Sequence, residues 1–144
     1  MKISVILSMF FLWIITSCSK TPSESKTDLL TSGKWQITSY TEICYCGGGL
    51  GTSSRDIYAT YAACTKDNYY VFYNGGSVEV NEGATKCNPA NAQSYSEGWA
   101  FSSDESKFRY KGKDWNIYQL NKTTFVISTV VLLGTGETIT FTKI

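Results

Sequence analysis

The chain contains no histidine in its 144 residues. That removes the commonest general base, the commonest zinc ligand and every Ser-His or Cys-His pair. Charge is sparse as well, with 13 Lys and Arg set against 12 Asp and Glu for a formal net charge of +1. No basic stripe or arginine cluster is present, so nucleic acid as a partner has no electrostatic footprint. Proline is limited to two residues, and neither an internal repeat nor a low-complexity segment occurs. Aromatic residues, at 15%, and tyrosine in particular, with ten copies, are plentiful, as is glycine with 12. Aromatic side chains suit a pleated, half-buried surface, so the composition leans to a single all-β domain.

Leu29-Leu30-Thr31-Ser32-Gly33-Lys34-Trp35-Gln36-Ile37-Thr38 organises the rest. Thr31-Ser32-Gly33 breaks the chain, and alternation then sets Trp35 and Ile37 on one face against Lys34 and Gln36 on the other. A strand with one buried and one wet face begins in this way. The same alternation carries on through Ser39, Thr41 and Ile43 as far as Tyr45. Four glycines in Gly47-Gly48-Gly49-Leu50-Gly51 make a loop, which Thr52 to Asp56 extend. These glycines open no amphipathic helix, so they do not read as a phosphate cradle.

Asp56 to Lys66 reads as a short helix or turn over one end of the sheet, with Ile57, Tyr61 and Cys64 on one helical face. Strands are expected at Tyr69 to Asn74 and at Ser77 to Val80, joined by a tight Gly75-Gly76 hairpin. A loop from Gly83 to Ala92 follows, then strands at Tyr95 to Ser102, Lys107 to Lys111 and Trp115 to Leu120. Thr123 to Leu133 and Glu137 to Lys143 complete the set, with Gly112-Lys113-Asp114 and Gly134-Thr135-Gly136 as turns and with Ile139 and Phe141 facing inward. About eight strands joined by short turns form an antiparallel up-and-down meander, which removes its edges by closing into a barrel. At that size the interior is either filled by side chains or holds one small ligand.

The first residues read differently. Lys2 is followed by an apolar run from Ile3 to Ile15, broken by Ser4 and Ser8, which is short for a membrane span. Ile15-Thr16-Ser17-Cys18 resembles the lipobox of bacterial lipoproteins. The resemblance implies that residues 1–17 are a signal peptide, removed before Cys18, and that Cys18 is the lipidation site tying the chain to a membrane. Ser19 to Asp28 carries no large apolar side chain, so 18–28 reads as a flexible tether and 29–144 as the folded domain. The implied place is the cell envelope, as an outer-membrane lipoprotein. No dense acidic run follows Cys18, so the default is a periplasm-facing anchor, with surface exposure as the alternative.

Gly33-Lys34-Trp35 resembles the Gly-x-Trp signature of lipocalins, and Leu29 to Ile144 resembles the lipocalin-like domains of lipoproteins from Bacteroidetes-type bacteria. The shared features are Leu30 to Trp35 (with one residue more between Leu and Gly), Cys64-Thr65-Lys66-Asp67-Asn68, the hairpin Gly76, Cys87 and the closing Thr140 to Lys143. The resemblance implies a barrel whose closed end is plugged by Trp35 under a basic side chain, for which Lys143 is the candidate. It also implies a small hydrophobic or amphipathic ligand. Candidate lining residues are Tyr70, Phe72, Trp99, Phe101, Phe108, Tyr110, Ile117 and Phe125. The competing expectation is a filled barrel that serves as a protein-interaction or envelope-assembly module, with an envelope protein as partner.

Besides Cys18, the chain has Cys44, Cys46, Cys64 and Cys87. In an exported protein four cysteines read as disulfides, with three pairings open. The resemblance, with the hairpin lying between them, favours Cys64–Cys87, which leaves Cys44 and Cys46 either paired or free. A zinc site usually takes two CxxC-type pairs, whereas here there is one C-x-C and two isolated cysteines, so no metal and no cofactor is expected. Asp104-Glu105, Glu79 and Glu82 read as solvated charge. No residue is singled out as catalytic, and a lipocalin-like isomerase or lyase is the remote alternative to a non-enzyme.

Overall fold

A computed structural model describes residues 24–45, 52–129 and 134–144. The expectations for the signal segment, Cys18, Cys46, the glycine run and the end of the strand after Thr123 fall outside the described residues. The described strands are β1 (Lys34–Tyr45), β2 (Thr52–Asp56), β3 (Tyr69–Tyr73), β4 (Ser77–Asn81) and β5 (Ser94–Phe101). They continue as β6 (Lys107–Tyr110), β7 (Lys113–Leu120), β8 (Thr124–Ser128) and β9 (Gly134–Lys143). All pair antiparallel, running β1-β3-β4-β5-β6-β7-β8-β9, and β9 returns to β1. The chain is therefore an all-β, closed eight-stranded up-and-down barrel, with β2 added beside β1.

Thr52–Asp56 is thus a strand rather than an extension of the loop, pairing Thr41 to Tyr45 with Asp56 to Thr52. It takes up the edge of β1 that β3 leaves free, since β3 meets only Lys34 to Gln36. Nor do residues 56–66 form one helical face. A 3₁₀ turn at Tyr58–Thr60 ends where Tyr61 turns extended, and a separate short helix α2 follows at Ala63–Lys66. The turn between β6 and β7 is Lys111-Gly112, because Tyr110 already pairs with Lys113. Gly134-Thr135-Gly136 is strand, paired with Ile43 to Tyr45. At the β3–β4 hairpin the glycine requirement is steric. Gly76 has φ +89°, and a Cβ there would lie 2.8 Å from the Trp99 carbonyl oxygen.

The tether expectation also needs correcting at its end. Lys26–Thr31 forms a helix, α1, started by a capping box in which Ser25 and Asp28 satisfy each other's backbone N–H groups. Six residues make no stable helix alone, so tertiary packing has to hold it. Leu30 supplies that packing, being fully buried in the core. Trp35 Nε1 donates to the Leu30 carbonyl oxygen at 2.7 Å, which fixes helix and first strand to each other. Lys143 Nζ lies 5.6 Å above the Trp35 ring and donates to Ser32 Oγ at 2.6 Å. Its stem crosses Gly33, where a Cβ would lie 2.5 Å from Lys143 Cε. Trp35, Lys143 and Leu30 together close this end.

Above the plug the barrel is solid. Phe72, Phe108, Phe125 and Phe141 are buried to 1% exposure or less. The Phe72 ring has Trp99, Phe108, Phe125 and Phe141 within 6.4 Å, mostly edge to face. Phe108 and Phe125 meet at 5.1 Å, and Phe125 and Phe141 at 5.5 Å. Each such pair adds about 0.5–1.5 kcal/mol beyond the area it buries.

Candidate functional site

One displaced residue shapes the other end. Ile37 pairs with Phe141 on β9, yet Ser39 pairs with Thr140, so Thr38 is an extra residue in β1. A bulge of this kind reverses the inward–outward phase beyond it. Tyr40, paired with Ile139, points into the barrel instead of Ser39, and Glu42 stands opposite Glu137. The alternation read from the sequence through Ser39, Thr41 and Ile43 is therefore out of phase after Thr38.

Tyr40 joins Ile37, Tyr61, Tyr70, Tyr110, Trp115 and neighbouring side chains around a cavity of about 180 Å³ at this open end. Tyr61 reaches it from the segment between β2 and β3, and packs edge-on against Tyr40 at 6.3 Å. That segment is held on three sides. Asp56 Oδ1 accepts from the Ala59 N–H at 3.0 Å, and Gln36 Nε2 donates to the Lys66 carbonyl at 2.7 Å. A Cys64–Cys87 disulfide joins α2 to the β4–β5 loop, with the two Cα atoms 5.1 Å apart. Cys44 is disulfide-bonded too.

The rim is charged in balanced pairs. Lys111, in the β6–β7 turn, and Lys113, the first residue after it, reach Glu97 at 3.4 Å and Glu137 at 2.8 Å. Glu42 is neutralised by Arg55 of β2 at 2.7 Å. Glu97 pairs with Val78, a core residue, and so lies on the inward face of β5. Burial, reinforced by Glu137, pushes the Tyr40 phenol up to about 12, and the same two causes raise Tyr61. Tyr70 is raised mainly by burial, and Tyr110 by burial and then by the Glu97 carboxylate. All four hydroxyls therefore remain neutral hydrogen-bonding groups at ordinary pH.

Of the eight residues expected to line a pocket, Tyr70 and Tyr110 are at this cavity. Phe72, Phe108 and Phe125 are sealed in the solid half. Trp99 gives its indole N–H to the Ser77 carbonyl at 2.8 Å and packs on Phe101 at 5.3 Å, toward the closed end. Ile117 packs against the core from β7. Sequence reasoning missed Tyr40, hidden by the bulge, and Glu97, whose inward place depends on the β4–β5 register. Among the described residues no group of three potential ligands could hold a metal ion. No helix among them is long and apolar enough to cross a membrane.

Fold and mouth together define a small closed antiparallel barrel, compatible with a lipocalin-like fold. No family model, no curated protein and no solved structure matches the chain.

Proposed function

We propose that this chain is a lipid-anchored protein of the bacterial cell envelope whose barrel mouth binds one compact amphipathic molecule, without catalysing a reaction on it. The observation that carries the reading is the tyrosine-lined cavity of about 180 Å³ at the end opposite the plug. An apolar cavity of about 150 Å³ accepts one benzene ring. The space therefore suits a single ring or a short branched chain, and the solid aromatic half below it leaves no room for a long acyl tail. The anchoring part of the proposal rests on Ile15-Thr16-Ser17-Cys18 and the apolar run before it.

Native mass spectrometry of the domain from Glu24 onward, isolated from a periplasmic preparation, tests the binding reading. That start keeps the Ser25–Asp28 cap. A bound mass that leaves on denaturation supports a carrier. The bare mass throughout, also after exposure to envelope extract, refutes it. Fractionation of a Cys18→Ala variant tests the anchor, which requires the protein to leave the membrane fraction. A second reading, a module that docks another protein, is favoured by β2, whose five residues are all exposed at the end of the sheet order. A bare domain that captures an envelope partner would replace the first reading with this one.

A further inference from the structure

The charged groups at the mouth are engaged with one another. Lys113 Nζ donates to both Glu137 oxygens, at 3.0 and 2.8 Å, and the Tyr40 hydroxyl turns to the same carboxylate. Glu97, which does not line the cavity, holds Lys111 Nζ at 3.4 Å and takes the Tyr110 hydroxyl. Two of the aromatic faces have cations of their own as well. Lys111 Nζ lies 5.4 Å from the Tyr110 ring centre and Lys113 Nζ 5.6 Å from that of Trp115. A charged head group entering here gives up its hydration and finds the charges of the lining already paired, so its ionisation works against binding.

Two polar groups of the lining differ. Tyr61, from the segment between β2 and β3, and Tyr70, on β3, both face the cavity, and among the described residues neither phenol oxygen is hydrogen-bonded. Each keeps contact with solvent, whereas the Tyr110 oxygen has none. Burial raises both phenols, so both stay neutral. At Tyr70 the neighbouring Tyr95 and Tyr61 add to the rise, which puts the Tyr61 and Tyr70 oxygens in one neighbourhood. A phenol is at once donor and acceptor. Its best complement is another hydroxyl, which donates to one oxygen while it accepts from the other.

Resting on the reading of the mouth as a small-molecule site, the geometry points to its ligand class: an uncharged alcohol with a compact apolar body. The body fills the aromatic-walled space of about 180 Å³, and the hydroxyl bridges Tyr61 and Tyr70.

Isothermal titration of the full chain with benzyl alcohol, toluene, benzylamine and benzoate varies the polar group on one ring. Benzyl alcohol is expected to bind about tenfold more tightly than benzylamine or benzoate, and severalfold more tightly than toluene. Tyr61→Phe and Tyr70→Phe keep the ring and remove the oxygen. Each should weaken benzyl alcohol by about three- to tenfold and leave toluene within about twofold. Glu137→Gln releases Lys113 from its carboxylate and should tighten benzoate severalfold, a gain that misfolding cannot imitate. Benzylamine or benzoate binding as tightly as benzyl alcohol overturns the uncharged class, and toluene matching benzyl alcohol overturns the role of the hydroxyl. Either result leaves the mouth as a small-molecule site. Failure of every probe to bind overturns that reading as well.

Discussion

Replacing Leu30 by Ala asks whether α1 belongs to the barrel or merely precedes it. Leu30 is fully buried, and it anchors a six-residue helix that has no independent stability. Truncating its isobutyl group to a methyl forfeits transfer free energy and leaves a cavity against Trp35, a combination that costs about 3 kcal/mol at a well-packed site. The Trp35 indole bond goes to the Leu30 backbone carbonyl, so it survives the change and the loss is one of packing. In urea at an m-value of about 1.5 kcal/mol per molar, the midpoint should fall by about 2 M with the slope unchanged. Tryptophan fluorescence reports the transition, since Trp35 is itself the neighbour. The control is Ser25→Ala, which removes only the helix cap and should cost about 1 kcal/mol. A Leu30→Ala loss below about 1 kcal/mol, or one no larger than the cap variant's, would refute the argument that this helix seals the barrel.

Serine at both Cys64 and Cys87 opens a link between residues 23 apart, for which chain entropy predicts a loss of about 3.4 kcal/mol. Thermal unfolding of the double variant measures it, and an unchanged Tm would contradict the model. The mouth tyrosines carry a pH prediction. Tyr40 is raised from 10.0 to about 12 and Tyr70 and Tyr110 are raised also, so in this range the unfolded chain binds fewer protons than the folded one. Their stabilising effect is complete below pH 10 and is lost as pH climbs through the folded values. Tyrosinate absorbance should lag for these residues, and uniform titration of all ten near pH 10 with constant stability would count against it. Deleting Thr38 removes the bulge and leaves Ser39 opposite Thr140 and Tyr40 opposite Ile139, so Tyr40 still points inward. Glu42 also keeps its place opposite Glu137, so urea unfolding should show a loss of no more than about 2 kcal/mol, from the Thr38–Thr142 hydroxyl contact and the altered local twist. Loss of the fold on this deletion would show that Thr38 is not the supernumerary residue.

Where side chains strictly alternated, the strands were readable from the residues. Phe108 and Tyr110 against Lys107, Arg109 and Lys111, or Ile139 and Phe141 in the last strand, name their own buried face. Trp35 was readable as an inward strand residue for the same reason, while its place as a plug was what the resemblance of Gly33-Lys34-Trp35 to the lipocalin signature implied. The mouth was not readable, and the cause is register. No local signal marks Thr38 as supernumerary, since the extra residue is defined only by the β9 partners across the ladder. Glu97 resembles any exposed carboxylate until Val78 is set opposite it. Residues 52–56 contain no apolar side chain and show no strand periodicity. Backbone groups that β3 leaves open on β1 recruit them. The short helix before β1 escaped because one leucine and a cap sufficed to hold it.

The chain enters the barrel through its sealed end: α1 and Trp35 stand at the floor, and the tyrosine ring opens at the opposite pole, a strand length of roughly 25 Å away. If Cys18 carries the proposed acyl anchor, the tether joins the barrel at its floor, the pole away from the opening. A ligand of the proposed site would then enter at the pole away from the anchor, where a partner that filled or emptied the barrel could approach without touching the membrane.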